Sequence, residues 1–451
     1  MRNRPGQPFD VAEARADAPV LDDVIFAPAC APGRAAVSIV RLSGSGAAGA
    51  VEALCGAPPP PRLASLRRLV GRDGPIDEAL VLWFPAPASF TGEDVAEFHL
   101  HGSRAVLRAV LAELGRRPGL RPAEPGEFAR RAFRNGKRDL ASLEGLADLI
   151  DAETEAQRRQ ALEQLSGAAG RMAQRWSEAL LDLQAEVESD LDFSDEADVQ
   201  TDLTRVRRGA ARLAAEMAAA VEGVGAAARL RDGFRIAIAG PPNVGKSSLL
   251  NAIAARDVAI VADSPGTTRD VLDTPLDLGG LPVTLSDTAG QRESTDPIEA
   301  EGVRRARARA ADADLVWWLA RTEAETEGAP AGATIVASQR DRFASDPSPR
   351  WADIAISAQT GLGLPELLAR AQSTLAQLAA PAESAAIVRE RHREATEAAR
   401  ASLLRIEAGV GAPELVAEEL RLARRAIGRI VGATDVEQVL GVIFSRFCIG
   451  K

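Results

Sequence analysis

Aromatic residues are scarce in this 451-residue chain, which contains no tyrosine and only 4% aromatics, so aliphatic side chains must fill its interior. Long apolar runs are also missing: no segment approaches the roughly 18 residues that a membrane-spanning helix needs, which excludes a transmembrane helix. Apolar residues still make up 46% and charged residues 26% of the chain, which excludes wholesale disorder. At about 150 residues per domain, the length predicts two to four domains.

Cysteine is rare as well. Cys30, Cys55 and Cys448 lie far apart, which excludes a disulfide framework and a CxxC metal pair. The first 20 residues hold Arg, Asp and Pro but no apolar stretch, so we expect a flexible tail rather than a signal peptide. These features predict a cytoplasmic protein. The net charge of −10 argues against a chain coated in nucleic-acid-binding surface, while a local basic patch is compatible with it.

Lysine is the scarcest charged residue, because only Lys137, Lys246 and Lys451 occur among 54 basic residues. The abundance of Ala, Arg, Gly and Pro is typical of GC-rich coding, which replaces lysine by arginine wherever a planar guanidinium serves. The two side chains differ, one being a compact point charge and the other a rigid fork. The three lysines therefore mark positions that need a compact ammonium, with chance survival as the alternative for Lys137 and Lys451.

Changes of pattern along the chain predict its organisation. After the tail (1–20), short β-type runs alternate with turns and one helical pattern, which is typical of an α+β domain. Leucines at three- and four-residue steps then predict long helices, and alternating strands and helices predict an α/β module with a parallel sheet. Because helical patterns flank that module, we expect one all-α domain with the module inserted. The predicted ranges are 21–137 (α+β), 138–232 (helical), 233–381 (α/β) and 382–451 (helical).

The segment GPPNVGKSS (240–248) follows a strand and precedes a helical run, the context that the G-x-x-x-x-G-K-[ST] phosphate loop requires. Gly240 and Gly245 permit the turn, and backbone N–H groups at the helix start face the phosphates. Lys246 is predicted to lie against the β- and γ-phosphates, and the Ser247 hydroxyl to bind Mg²⁺.

Two further segments follow in the order of a GTPase switch. DTAG (287–290) ends a strand, so Asp287 can hold the magnesium water shell and the Gly290 N–H can sense a γ-phosphate. GTTRD (266–270) lies where a switch loop belongs, with Thr268 as the second Mg²⁺ ligand. The nucleotide contacts expected from these motifs also include Val244, Ser248, Asp263, Pro265, Gly266, Thr288 and Ala289.

The base-reading segment departs from the usual NKxD. Asp341 ends Ser338-Gln339-Arg340-Asp341, and its carboxylate can accept from N1 and N2 of guanine. The missing Asn and Lys remove an N7 contact and a stacking stem, and loss of Asp341 to a surface loop is the alternative. ISAQTG (356–361) supplies a second base-contacting loop through Ser357 and Ala358. GTP is the expected nucleotide.

These motifs, together with four more specific segments, resemble the bacterial MnmE (TrmE) family of tRNA-modification GTPases. The segments are APGRAAVSIVRLSG (31–44), SFTGEDVAEFHLHG (89–102), PGEFARRAFRNGKRDL (125–140) and VAEELRLARRAIGRI (416–430) with the terminal FCIGK. The resemblance implies a K⁺-activated GTP hydrolase, a cytoplasmic homodimer that works with an MnmG-like flavoprotein. The pair would add a carboxymethylaminomethyl- or aminomethyl-type group to C5 of the wobble uridine of certain tRNAs.

The resemblance also implies site residues. A reduced folate, 5,10-methylenetetrahydrofolate or its 5-formyl analogue, supplies the carbon and is bound by the N-terminal domain, through Arg41, Glu97, Lys137 and Lys451. It further implies that Asn243 holds potassium, with a role only in shaping the loop as the alternative. The other potassium positions implied are Ala262, Ser264 and Thr267. The family's water-activating carboxylate falls on Glu299. Gln291, where Ras-type enzymes keep their water-orienting Gln, is the second candidate.

Other signals stay open. His99 and His101 alternate on one strand face, but a third metal ligand is not visible, so we expect structural or substrate-lining roles. Cys448 is either a nucleophile near the folate carbon or a small packed residue. The basic run 304–309 is predicted to be a solvated helix face. The alternative function is a non-catalytic GTP switch in ribosome assembly or RNA binding, and folate binding by the purified protein discriminates between the two.

Overall fold

The computed structural model describes residues 23–193, 203–256, 258–259, 273–287, 313–342, 349–382, 385–409, 412–434, 440–441, 443–444 and 450. Contacts group the described residues into two compact units. The first unit draws on Met1–Ala147, Gln164–Ala215 and Ala395–Lys451, and the second on Asp148–Glu163 and Glu216–Glu394. Among the described helices, none is long and apolar enough to cross a membrane.

A six-stranded sheet forms the N-terminal part of the first unit. Its strands are β1 Val24–Pro28, β2 Val37–Ser43, β3 Ser65–Gly71, β4 Gly74–Phe84, β5 Val95–His101 and β6 Leu120–Pro122, in the order β3-β4-β5-β2-β1-β6. Neighbours are antiparallel except β1 and β6, which run parallel. Alternate residues such as Val40 and Leu42 are buried against α1 (Ala47–Cys55) and α2 (Arg104–Gly115). The predicted α+β fold of this region is confirmed.

Helices complete the first unit, and the long helices that the leucine spacing predicted after residue 138 are present. They include α3 Glu127–Arg134, α4 Leu140–Asp151, α5 Glu155–Leu165, α6 Ala168–Phe193, α7 Thr204–Glu222, α11 Glu390–Glu407 and α12 Pro413–Val431, of which α4, α5, α7 and α11 also have residues in the second unit. α12 packs against α6. It starts with proline, whose missing N–H costs nothing at a helix start, and it buries Val416, Leu420, Ala423 and Ile427 at helical spacing.

The second unit holds the α/β module. Its strands are β7 Phe234–Ala239, β8 Asp273–Leu278, β9 Leu281–Asp287, β10 Leu315–Ala320, β11 Thr334–Ala337 and β12 Ile354–Ala355, in the order β12-β11-β10-β7-β9-β8. Five strands are parallel as predicted, but β8 is antiparallel to β9, so the sheet is mixed and the prediction of a wholly parallel sheet was wrong. The reason is the tight Gly279-Gly280 turn with both φ angles positive, which joins only antiparallel strands.

Helices α8 (Val224–Asp232), α9 (Lys246–Ala254) and α10 (Leu364–Ala379) cover this sheet. α8 contributes Ala226, Ala227 and Leu230 to the same apolar core as β7. It therefore packs with the α/β module, although it precedes residue 233, the predicted start of that module. The domain boundaries themselves stay a prediction.

A buried ion cluster ties β1 to α3 in the first unit. Arg131 is 2% exposed and binds Asp23 (2.8 Å), Glu93 (3.1 Å) and Glu127 (3.3 Å). Arg121 forms two parallel hydrogen bonds to Glu127, of 2.8 and 2.6 Å. Burial by itself raises the pKa of Glu127, but the hydrogen bonds from Arg121 and the Glu124 N–H outweigh it and lower that pKa to about 2. Within residues 116–138, the positive charges of Arg121 and Arg131 are thus neutralised internally.

Candidate functional site

The phosphate loop leaves β7 through two backbone features that its sequence dictates. At Gly240, φ is +137°, and a Cβ would lie 2.3 Å from the Leu319 carbonyl oxygen, so only glycine fits beside β10. Asn243 (φ +61°) and Gly245 (φ +102°) are left-handed and turn the chain into α9. α9 begins at Lys246 with no side-chain cap, which leaves its first N–H groups to other partners.

Lys246 is held inside this loop. Its ammonium donates to the carbonyl oxygens of Gly240 (3.0 Å) and Pro241 (2.9 Å), and the residue is 9% exposed. Burial lowers the pKa of Lys246, an effect that the charge of Asp287 opposes. An anionic phosphate would supply further negative charge at this point and stabilise the ammonium.

Ser247 and Asp287 meet at the end of β9. The Ser247 hydroxyl donates to Asp287 Oδ2 at 2.9 Å, although 40 positions separate the two residues in sequence. A hydroxyl and a carboxylate beside a phosphate site are the oxygen ligands and water-shell acceptors that Mg²⁺ prefers. The residues therefore fit a magnesium ion.

The base-reading loop is fastened to the phosphate loop by the two residues that replace Asn and Lys. Ser338 Oγ donates to the Val244 carbonyl (2.8 Å), and Gln339 Nε2 donates to the Asn243 carbonyl (2.9 Å). Gln339 is left-handed, with φ +56°. Both replacements keep a hydrogen-bond donor, and this shared property is the sequence signal that could have predicted their contacts.

Asp341 lies in the same cavity as the phosphate loop rather than on a detached surface loop. Its Oδ1 accepts from Ser357 Oγ at 2.6 Å, which ties the two predicted base-contacting loops together. A second carboxylate oxygen remains on the group for a ligand with paired N–H donors.

A cavity of about 550 Å³ joins these segments, which is large enough for a nucleotide-sized ligand. Among the predicted residues it is lined by Asn243, Val244, Gly245, Lys246, Ser247, Ser248, Asp341 and Ala358. Sequence reasoning did not select the other lining residues, namely Pro242, Leu249, Leu319, Ser338, Gln339, Arg342, Ile356 and Gln359.

Several predicted positions lie outside the described residues. They are the switch positions Ala262, Asp263, Ser264, Pro265, Gly266, Thr267 and Thr268, then Thr288, Ala289, Gly290, Gln291 and Glu299, the basic run 304–309, Cys448 and Lys451.

A second candidate site lies on the sheet of the first unit. Arg41 and Glu97 are directly paired in the β2–β5 register, and Arg41 Nε donates to Glu97 Oε1 at 2.9 Å. Their side chains are 21% and 17% exposed. The rings of Phe90 and Phe128 each lie 5.9 Å from the Arg41 guanidinium carbon. A guanidinium, a carboxylate and two aromatic faces fit a flat, polar heterocycle.

The other two expected folate positions approach this site differently. Lys137 is exposed, donates to the Pro87 carbonyl (2.9 Å), and its stem would contact a Cβ on Gly92, two residues from Phe90. Gly450, the neighbour of Lys451, accepts from Arg41 at 3.4 Å. A Cβ on Gly450 would lie 2.0 Å from the Pro28 carbonyl oxygen, so the chain there packs closely on β1.

The two strand histidines have acidic partners. His101 Nδ1 lies 2.7 Å from Asp77, and His99 Nε2 lies 3.4 Å from Glu97. The described residues contain no group of three or more His, Cys, Asp or Glu that could hold a metal ion. Because of its contact with Glu97, His99 borders the Arg41–Glu97 pair, whereas His101 is exposed at the end of β5.

Comparisons with known proteins cover nearly the whole chain. The family described as MnmE helical domain matches residues 140–448, and that described as GTP-binding protein TrmE N-terminus matches residues 24–137. The tRNA modification GTPase MnmE of Methylobacterium sp. (strain 4-46) is 52% identical over 439 residues, covering 96% of this chain and 100% of that protein. The protein of that name from Rhodopseudomonas palustris is 50% identical over 437 residues, covering 95% and 99%.

Among solved structures, the G domain of the T. maritima FeoB iron transporter is 24% identical in sequence. It covers 32% of this chain and 98% of that one, with a TM-score of 0.23.

Proposed function

The chain belongs to the MnmE/TrmE family of tRNA modification GTPases, and from that premise we propose the finer activity of a K⁺-activated GTP hydrolase in wobble-uridine modification. Together with an MnmG-like flavoprotein, it would place a carboxymethylaminomethyl- or aminomethyl-type group on C5 of that base. The observation that carries the proposal is that the phosphate loop and Asp341 of the base-reading loop line the same cavity.

The phosphate loop performs the binding step. Backbone N–H groups before and at the start of α9 donate to the β- and γ-phosphate oxygens, and Lys246 adds its ammonium. Ser247 and Asp287, hydrogen-bonded to each other, would hold Mg²⁺ together with Thr268. When bound, Mg²⁺ offsets negative charge on the phosphates, much as other phosphoryl-transfer sites use it.

Guanine selectivity is assigned to the loop that ends in Asp341. Its carboxylate would accept from N1 and N2 of guanine while Ser357 holds one of its oxygens. Gln339, whose amide donates to the Asn243 carbonyl, would pack the aliphatic part of its side chain on the base, as lysine usually does at this position.

Potassium activation is assigned to Asn243, with backbone oxygens of Ala262, Ser264 and Thr267. A monovalent cation there offsets charge that develops between phosphates, as an arginine finger does. Asn243 lines the cavity, and its left-handed backbone is stabilised by the bond from Gln339. We assign water activation to Glu299, with Gln291 as the competing position.

The Arg41–Glu97 site would bind the reduced folate, which supplies a one-carbon unit when bound. Arg41 would pair with carboxylate oxygens or stack on the ring, and Glu97 would accept from the amino group of the pterin edge. Lys137 and Lys451 would add positive charge for the glutamate tail. The guanidinium of Arg41 lies over the rings of Phe90 and Phe128, and these contacts would help to orient it. We further propose a homodimer, a cytoplasmic location and the flavoprotein as partner.

Hydrolysis rates in K⁺ and in Na⁺ test the enzymatic half of this proposal. We expect much faster hydrolysis in K⁺, and expect Asn243→Ala to abolish the difference while nucleotide binding stays largely intact. Glu299→Ala should lower kcat about 10²-fold, the scale of a positioned base. Equal wild-type rates in both salts would contradict the potassium assignment, and a larger loss in Gln291→Leu would transfer the water-positioning role to that residue.

Nucleoside analysis tests the modification itself. A strain that lacks the gene should lose the modified wobble uridine, and the wild-type gene should restore it. Unchanged tRNA nucleosides in the deletion strain, together with no folate binding by the purified protein, would favour the non-catalytic switch.

A further inference from the structure

Most arginines of the basic segment 116–138 have acidic partners. Arg116 and Arg117 pair with Glu113, Arg121 and Arg131 join the buried ion cluster, and Arg130 pairs with Glu124. Lys137 and Arg138 differ, because within the described residues no carboxylate lies within ion-pair distance of either. The positive charge of the segment therefore persists only near its C-terminal end.

That end borders a cavity of about 700 Å³, which we name the basic cleft because basic residues outnumber acidic ones in its lining. The loop before α4 contributes Lys137 and Arg138, and the first turns of α6 contribute Arg171 and Arg175. Asp139 also lines the cleft, but its Oδ1 accepts the Ser142 N–H at 2.7 Å and caps the start of α4. Four cations thus face one carboxylate.

The four cations donate only to backbone carbonyls within the described residues. Arg138 contacts the Leu165 carbonyl at 3.4 Å, Arg171 that of Ser166, and Arg175 that of Arg171 at 3.4 Å. Lys137 donates to Pro87. These bonds orient the charges without neutralising them. Arg171 and Arg175 are one helical turn apart, where like charges destabilise a helix.

We propose that the basic cleft binds the phosphodiester backbone of the tRNA substrate, an inference that rests on the proposed function. In a chain of net charge −10, uncompensated cations converge on one concavity, which an anionic polymer would occupy. Arg171 and Arg175 are both exposed and lie about 6 Å apart along the helix, so each can contact a different phosphate of one strand.

Such contacts would position the tRNA without reading its sequence. Phosphate contacts fix the register and orientation of a nucleic acid, and base selection falls to other groups. The Arg forks suit phosphate oxygens, to which they can donate two parallel hydrogen bonds. The cleft is thereby assigned to holding the body of the tRNA while the wobble base is modified elsewhere.

The test measures binding of a fluorescein-labelled tRNA transcript with a wobble uridine to the full-length protein across a salt series. In Arg171→Gln/Arg175→Gln we expect affinity to fall about tenfold and the slope of log affinity against log salt to shrink by about 1.6, since each of the two lost phosphate contacts contributes about 0.8. Arg171→Lys/Arg175→Lys, which keeps both charges, should retain most of the slope. Lys137 stays unchanged because it is also an expected folate contact.

The matched control is Arg158→Gln/Arg159→Gln, which removes the same charge from residues that both pair with Glu155 at 2.7 Å. It should leave tRNA affinity unchanged, and both glutamine variants should hydrolyse GTP like the wild type. Equal losses in both variants would show a net-charge effect and overturn the inference. So would wild-type affinity and slope in Arg171→Gln/Arg175→Gln.

Two further results would also overturn it. If the cleft variant binds tRNA normally but loses the flavoprotein partner, the cleft is a protein interface. If the wild type itself binds no tRNA at any salt and the deletion strain keeps its modified uridine, the proposed function fails together with the cleft. If the deletion strain loses its modified uridine but the cleft variants bind tRNA normally, the proposed function is retained and only the tRNA-binding role of the cleft is overturned.

Discussion

The phosphate-binding part of the cavity in the second unit is built from one continuous segment, residues 240–248, whereas the Arg41–Glu97 site of the first unit brings together distant parts of the chain. In the cavity, backbone conformation does most of the positioning, through Gly240, Asn243 and Gly245. In the Arg41–Glu97 site, a strand register and the approach of Gly450 do it. A contiguous loop can be recognised by its pattern of residue types, but a site assembled from β2, β5 and the C-terminal end cannot.

The two described lysines express the same contrast. Lys246 is buried among backbone carbonyls and has a lowered pKa because of that burial. Lys137 is exposed and bonds one carbonyl of a loop. We expect the first to be indispensable for phosphoryl transfer and the second to act on ligand charge alone.

Substituting each of these two lysines is the strongest test of the contrast between the nucleotide cavity and the Arg41–Glu97 site. Lys246→Ala should lower GTP hydrolysis about 10³-fold, since it removes the point charge on the β- and γ-phosphates. Lys137→Ala should leave hydrolysis unchanged while weakening folate binding several-fold. Steady-state kinetics and folate titration of both variants check this, and a hydrolysis defect in Lys137→Ala would show that the two sites are not separate.

The buried ion cluster tests how the first unit depends on side-chain pairing. Glu127→Gln should destabilise the protein by about 3 kcal/mol, because it leaves Arg131 buried with one charged partner fewer. Denaturant unfolding measures this. The exposed pair Glu124–Arg130 supplies the control, because Glu124→Gln should lower the free energy of unfolding by under about 1 kcal/mol.

The pH dependence of that difference has a defined sign. The pKa of Glu127 is lowered from 4.5 to about 2, so its charged form is favoured by folding. The advantage of the wild type over Glu127→Gln should be complete above about pH 4.5 and should shrink as the pH falls toward 2. A constant difference across that range would show that packing, not charge, is responsible.

The C-terminal segment sharpens the account of the Arg41–Glu97 site. Deleting residues 448–451 should weaken folate binding about tenfold, as expected for losing one charge-assisted contact, and should abolish tRNA modification. GTP hydrolysis should stay near normal. Gly450→Ala, whose Cβ would clash with the Pro28 carbonyl, should reproduce part of the folate effect without removing Lys451. A truncated protein that still modifies tRNA would make the segment dispensable.

The smallest expected effect concerns the loop that replaces NKxD. Gln339→Ala should lower GTP affinity about threefold, the scale of one neutral hydrogen bond, since the Asn243 carbonyl loses its donor. Gln339→Lys keeps a donor and a stem and should restore affinity. Asp341→Asn should relax the preference for GTP over ATP, because an NH₂ faces a guanine donor. Competition titrations measure both, and equal wild-type affinities for GTP and ATP would remove base reading from this loop.

Much of the fold could be predicted because its patterns are local. Strand β7, the phosphate loop and α9 follow from an apolar run, two glycines and a helical pattern, and the structure has them in that order. Strand β8 and its antiparallel orientation were missed although Gly279-Gly280 is a hairpin signal, because alternation of strands and helices was applied to the whole module. The roles of Ser338 and Gln339 were missed because NKxD was compared by residue name and not by donor.

The sequence by itself determined the phosphate loop, the secondary-structure elements and the three lysines that stand apart, since residue type and spacing suffice for each. Only the tertiary structure decided which charges are neutralised. Arg121, Arg131, Lys137 and Arg138 look alike in one basic segment, yet the first two are ion-paired with carboxylates and the last two face a cleft. The physical reason is that an ion pair depends on a distance between side chains, and the partners Asp23 and Glu93 reach α3 only through the packing of β1 and the loop before β5.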